Sequence, residues 1–193
     1  MNRPETITTA SDDDFLPADL SDLLPFANLT VDQTQELLSL ATIRHVRPNK
    51  AYIDEGESAK NFYVLLDGFL KIVRTTKDGD QVVILHIAPG QMFGIAKAFE
   101  SDNYTTTARA ASDGIALSWP SELWDRFVQD YPGFETASRK AVGARVCELQ
   151  DKLVGMATQQ VEHRFARAVV RLVEQAGKPT ELGSEIDFPL TRL

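Results

Sequence analysis

Two kinds of hydrophobic periodicity follow one another along the chain. From Ile43 to about Leu117, apolar residues come in short runs rich in Val, Ile, Phe, Tyr and Thr, with turn residues between them. Glycines stand at 56, 68, 79, 90 and 94, where a chain reversing between strands needs positive φ or a missing side chain. Lys77-Asp78-Gly79-Asp80 predicts a hairpin turn, because Asp-Gly supplies the required φ > 0. These signals predict an antiparallel sandwich, jelly roll or barrel. Helical patterns flank it. Leu23, Leu24, Phe26 and Leu29 lead to Thr30, an N-cap, and the helix predicted over Val31 to Ala41 presents Leu37, Leu38 and Leu40. Ser121 to Tyr131 predicts a short helix, capped by Ser121, with Leu123, Trp124 and Phe127 toward the barrel and Pro132-Gly133 as its break.

A long helix is predicted next, from Phe134 to about Thr158. Its apolar positions Val142, Val146, Leu149, Leu153 and Met156 are spaced 4, 3, 4, 3, the seam of a coiled coil. The stripe has two readings, packing on the chain's own barrel or pairing with a second copy; its narrowness over about three heptads favours the homodimer. Ala137, Ala141, Gly143 and Ala144 permit close approach in its first half. A further amphipathic helix is predicted from Val161 to Gln175, closed by Gly177 and Pro179, and a short strand over Ile186 to Leu190. The fold class is α+β.

Composition narrows this picture. No apolar run approaches the length of a membrane span, and Met1 to Asp22 lacks the apolar stretch of a signal peptide, so the expected location is the cytoplasm, with no membrane partner. Residues 1–20, with Asp12-Asp13-Asp14, predict a disordered acidic tail. The net charge of −8 is uneven: residues 1–133 hold 11 basic against 20 acidic groups, whereas 134–171 hold seven basic against four acidic. Any nucleic-acid contact therefore belongs at the C-terminal end, although a solvated helix face accounts for the same basic residues. A single cysteine, Cys147, excludes a disulfide framework within the chain; beside Val146 of the seam it reads as a buried inert thiol, with an approach to its symmetry mate across a dimer as the alternative. The sequence holds no GxSxG, Walker-A, His-x-Glu or HExxH motif, so it does not read as an enzyme.

Specific strings in this pattern resemble the Crp/Fnr superfamily of bacterial transcription regulators. They are Gly56-Glu57, Phe62-Tyr63-Val64-Leu65-Leu66-Asp67-Gly68, Pro89-Gly90-Gln91-Met92-Phe93-Gly94 and Ala108-Arg109-Ala110, followed at the family's distance by the long helix. Glu162 to Leu172 and Phe188-Pro189-Leu190-Thr191-Arg192-Leu193 are similar to the approach to a winged helix-turn-helix. The resemblance implies an antiparallel β-roll or jelly-roll sensor domain, of the cyclic-nucleotide-binding type, at 21–131. It further implies a coiled-coil dimerisation helix at 132–159 and the start of a DNA-binding domain at 160–193, cut short before the recognition helix. It implies promoter DNA and RNA polymerase as partners of the full-length regulator, and an effector pocket at Phe93, Gly94, Ile95, Ala96, Tyr104, Thr105 and Thr106, between the barrel and the long helix.

Family members that bind cyclic nucleotides carry a Glu after the glycine matching Gly94 and an Arg-Ser pair before the alanine matching Ala110. Here those positions hold Ile95, Tyr104 and Thr105. Two hydroxyls do not replace a guanidinium fork on a phosphate, so cAMP is not the expected ligand. Arg109 is a candidate substitute. The stretch Phe99 to Ala108 is similar to the Dnr/NnrR branch, which implies control of denitrification genes and nitric-oxide sensing through haem. Three histidines are available as haem ligands. His86, beside the Pro89–Gly94 turn, is the candidate, with a solvent-facing strand position as the alternative; His45 and His163 read as surface or capping residues. A cupin-like metal-binding β-barrel enzyme and an interaction module without ligand are the competing classes. The cupin needs a convergent His and Glu cluster that three scattered histidines supply poorly.

Overall fold

The computed structural model describes residues 7–9, 20–27, 29–158, 169–170, 173, 177–180 and 183–186. The chain divides into two compact units, Met1–Ala141 and Val142–Leu193. The first contains two antiparallel sheets. One has five strands, β1 (Ile7–Thr9), β2 (Thr42–Val46), β4 (Asn61–Asp67), β7 (Met92–Phe93) and β9 (Gly114–Pro120), in the order β1-β2-β9-β4-β7. The other has four, β3 (Ala51–Ile53), β5 (Leu70–Thr75), β6 (Gln81–Ile87) and β8 (Thr107–Ala110), in the order β3-β8-β5-β6. Val46, Tyr52, Tyr63, Leu65, Leu70, Ile72, Leu85, Ile87, Phe93, Ala108, Ala110 and Ala116 come together in one core cluster, which defines the inner face of each strand. This is the expected roll.

The five glycines all have positive φ. At Gly68 the reason is a close approach as well: a Cβ there would lie 2.2 Å from the carbonyl oxygen of Asp113, a backbone atom that cannot swing away. The Asp-Gly hairpin forms as expected between β5 and β6, with the Thr76 N–H donating to Asp80 O at 2.8 Å and the Gly79 N–H to Thr76 O at 3.0 Å.

The outer face of the five-stranded sheet carries a second, aromatic core. Phe62 and Trp119 alternate with the inward Tyr63 and Ser118, and their rings stack at 5.5 Å. Phe26, Trp124, Phe127 and Phe134 pack edge-on or tilted around them. This fixes the helices: α1 (Val31–Ser39), α2 (Trp124–Asp130) and the first turns of α3 (Pro132–Thr158). Thr30 caps α1 as expected, in a reciprocal box with Gln33 (3.2 and 3.0 Å). The buried indole N–H of Trp119 donates to Leu37 O at 2.8 Å and so satisfies a carbonyl at the end of α1.

Several expectations need correction. The tail predicted as disordered over 1–20 includes β1, where Ile7, Thr8 and Thr9 pair with Arg44, Ile43 and Thr42. Two Thr and an Ile favour extended backbone, and β2 otherwise leaves an open edge of donors and acceptors. Leu20, placed in the tail, is buried and starts a 3-10 turn. Ser121 makes no side-chain cap; a 3-10 turn over Ser121–Leu123 leads into α2. Pro132 opens α3 and does not merely break what precedes it, since the first turn has no need of the missing N–H. Cys147 is exposed, not buried.

In the second unit, α3 continues to Thr158, with Val146, Leu149, Leu153 and Val154 exposed. β10 (Gly177–Thr180) and β11 (Gly183–Ile186) form an antiparallel hairpin where the sequence predicts a helix stop at Gly177 and Pro179 and a strand only from Ile186. The helix predicted over 161–175 lies outside the described residues, except for 169–170 and 173, which are helical. His163 and the Phe188–Leu193 string also lie outside them. Among the described residues no helix is long and apolar enough to cross a membrane.

Candidate effector site

The predicted pocket segment begins where β7 ends. β7 pairs with only Tyr63 and Val64 of β4, and the chain then leaves the sheet at Gly94. A Cβ at Gly94 would meet the Tyr63 ring at 2.8 Å, and its φ of +65° lies in the left-handed region, so no other residue fits without displacing that ring. Phe93 stacks on the same ring at 4.8 Å and 11°, and Tyr52 meets Phe93 edge-on at 5.3 Å. Ile95 and Ala96 are buried, and Ala96–Phe99 forms a 3-10 turn closed by Glu100 in the left-handed region.

The early departure of β7 leaves a vacancy that Tyr104 fills. Asn61 faces Pro120 across the β4–β9 ladder, and the Ser121 N–H donates to Lys60 O. This makes Asn61 a non-hydrogen-bonded pair with Pro120, so its own N–H and C=O point toward the edge that β7 no longer covers. The Tyr104 hydroxyl accepts from the Asn61 N–H at 3.1 Å and donates to Asn61 O at 2.7 Å. Burial, then the neighbouring Tyr63, pushes the Tyr104 phenol well above its usual range. At the position where cyclic-nucleotide binders carry a phosphate-holding Arg, this chain has a neutral hydroxyl committed to its own backbone.

The remaining predicted residues do not all converge. Thr105 is exposed and Thr106 half-buried, while the adjoining Thr107 is buried, its hydroxyl accepting from the Glu55 N–H at 3.0 Å. Arg109 lies on the outer face of β8, between the inward Ala108 and Ala110, and its Nη1 donates to Asn49 O at 2.7 Å. It does not replace the missing phosphate reader. His86 alternates with the inward Leu85 and Ile87, so its imidazole stands on the outer face of β6 opposite Lys71. That is the solvent-facing alternative of the sequence reading. His45 likewise faces away from the interior, on the face of β2 opposite to Val46.

One inward-facing charged residue went unnoticed. Arg44 shares strand parity with Val46 and pairs with the inward Ala116, so its stem runs along the inner face of the roll. Its Nη1 donates to the Tyr63 hydroxyl at 3.2 Å, with the guanidinium carbon 5.9 Å from that ring's centroid. The signal was present in Ile43-Arg44-His45-Val46, where Val46 fixes the parity.

Comparison with known proteins agrees with this geometry. Residues 43–131 match the cyclic nucleotide-binding domain family. The CRP-like cAMP-activated global transcriptional regulator of Mycobacterium tuberculosis is 23% identical over 123 residues, 64% of this chain and 55% of that protein. Residues 43–131 form a cyclic nucleotide-binding domain, and the chain is similar to Crp/Fnr-type regulators. It spans about half the length of that curated relative. The sensor domain of the transcriptional regulator DNR from Pseudomonas aeruginosa is 26% identical, with a TM-score of 0.58 over 68% of this chain and 89% of that one. The c-di-GMP responsive global regulator CLP of Xanthomonas campestris shares the fold, with a TM-score of 0.67 at 19% identity over 75% of this chain and 74% of its own. Within the cyclic nucleotide-binding fold, then, the cassette from Met92 to Thr107 keeps the glycine turn and holds Ile95, Tyr104 and Thr105 where nucleotide binders carry charged contacts.

Proposed function

We propose that the chain is the sensory and dimerisation region of a cytoplasmic, homodimeric Crp/Fnr-type transcription regulator whose effector is not a cyclic nucleotide. The observation that carries this reading is the commitment of Tyr104 to the Asn61 backbone, where a phosphate would need a cation. The matched relatives support the regulatory class over the cupin-like enzyme, and among the described residues no three His, Cys, Asp or Glu side chains gather to hold a metal. The exposed apolar residues of α3, with Val142 half-buried on the same stripe and Met156 continuing it in sequence, support pairing with a second copy. Promoter DNA and RNA polymerase would be met by the full-length regulator. An effector that prefers one arrangement of the paired helices would shift the population between two states.

The finer reading, a nitric-oxide response through haem, draws support from the likeness to the DNR sensor domain. The described residues do not fit a haem inside the roll: His86 and His45 both turn away from the interior, and a buried iron needs an axial ligand there. The reading is tested by calorimetric titration of the chain with cAMP and cGMP, alongside sedimentation of wild type and Leu149→Lys. The expected result is no nucleotide binding, a dimer for wild type and a monomer for the variant. A nucleotide Kd below about 100 μM refutes the ligand reading; an unchanged sedimentation coefficient refutes the seam.

A further inference from the structure

The inner face of the five-stranded sheet is polar at one end and apolar at the other. Thr42 of β2, Ser118 of β9 and Tyr63 of β4 lie in register in one row across three strands. Arg44, Ala116 and Leu65 form the next row, and Val46 and Gly114 continue toward the apolar end. The small Ala116 lets the Arg44 stem cross β9 diagonally to the Tyr63 hydroxyl. Among the described inward positions of β2, β9, β4 and β7, Arg44 carries the one formal charge. A half-buried guanidinium presents parallel N–H donors in a fixed plane; it reaches the Tyr63 hydroxyl, and Thr42 and Ser118 share the Tyr63 row of the sheet.

We propose that this end of the roll is a site for a small, planar, singly charged oxyanion of the carboxylate or nitrate class, read by the Arg44 fork and the Thr42, Ser118 and Tyr63 hydroxyls. The inference deepens the proposed effector reading and rests on it for its consequence: the Tyr63 ring is both the neighbour of Arg44 and the surface against which Phe93 and Gly94 pack. An anion that draws Arg44 away from Tyr63 therefore acts on the turn that opens the cassette. The charge that cyclic-nucleotide binders place on the cassette is here supplied from β2, on the other side of Tyr63. Guanidinium–oxyanion pairing in a partly desolvated setting is stronger than at an open surface, and planar anions with two acceptors are preferred over spherical ones.

The test is calorimetric titration of the full chain with sodium formate, acetate, nitrite, nitrate and chloride at constant ionic strength, with the arginine side-chain N–H signals followed by NMR. Saturable binding of at least one planar oxyanion, at one per chain and tighter than chloride, is expected. The Arg44 Nε–H signal is expected to shift. Arg44→Met weakens binding by at least about tenfold, Arg44→Lys weakens it less and erases the preference over chloride, and the outward-facing Arg109→Met leaves it unchanged. Should Arg44→Met fail to fold, Arg44→Lys and the wild-type Nε–H shift still decide. No saturable binding by wild type, or equal binding by folded Arg44→Met, overturns the proposal. Binding of cAMP, titrated alongside these anions, refutes the non-nucleotide reading and leaves the role of Arg44 standing if Arg44→Met still loses the oxyanion.

Discussion

Removing one oxygen atom, in Tyr104→Phe, tests the account of the cassette most directly. The ring stays, so no cavity is made. What is lost is a hydroxyl that serves both polar groups of Asn61 at 3.1 and 2.7 Å. A hydrogen bond that water can replace is worth about 0.5–1.5 kcal/mol net, and a buried group left unsatisfied costs about 1–3 kcal/mol. The site is part-buried, so water recovers part of the loss, and the sum for two bonds is about 2 kcal/mol. For a chain of this size that corresponds to a fall in melting temperature of about 4–8 °C. Urea unfolding followed by the fluorescence of Trp119 and Trp124, both in the first unit, reports it without contribution from the second. A lower midpoint with an unchanged slope is expected. A loss below about 0.5 kcal/mol at the same slope would show that Tyr104 does not complete the Asn61 edge, and would remove the reason for excluding a phosphate there.

Three further outcomes follow from the same structure. Gly68→Ala places a Cβ against the Asp113 carbonyl in a left-handed backbone and should destabilise by more than the roughly 1–2 kcal/mol of the φ penalty alone, read by thermal melts; a loss under 1 kcal/mol contradicts the close approach. The Tyr131 phenol is pushed up to about 12, first by burial and then by its hydrogen bond to Glu36, and Tyr104 is raised further. With folded values above the unfolded one, stability is full below pH 10 and declines as pH climbs through 12; urea midpoints at rising pH should show this, with a shallower decline in Tyr131→Phe, and a flat profile for wild type would refute it. Arg126 joins Glu36 and Asp130 at the surface, so Arg126→Ala should cost no more than about 1 kcal/mol in urea unfolding, and a larger loss would mean the network is buried in solution.

What could be read from the sequence was whatever neighbouring residues decide among themselves. Glycines 56, 68, 79, 90 and 94 declared their positive φ because only the backbone needs of a turn were at stake, and Thr30 with Gln33 declared a cap by spacing alone. The roll followed from short strands punctuated by those turns, and the departure at Ile95 and Tyr104 was visible as a change of residue type. Tertiary structure decided which way each strand residue faces, because a shift of one position in register exchanges the two faces. That is how Arg44 came inside while His86 and Arg109 went outside. It also decided what Tyr104 is for. A phenol in a sequence has no partner until the strand it completes has been placed beside it, and the vacancy it fills exists only because β7 stops after two residues.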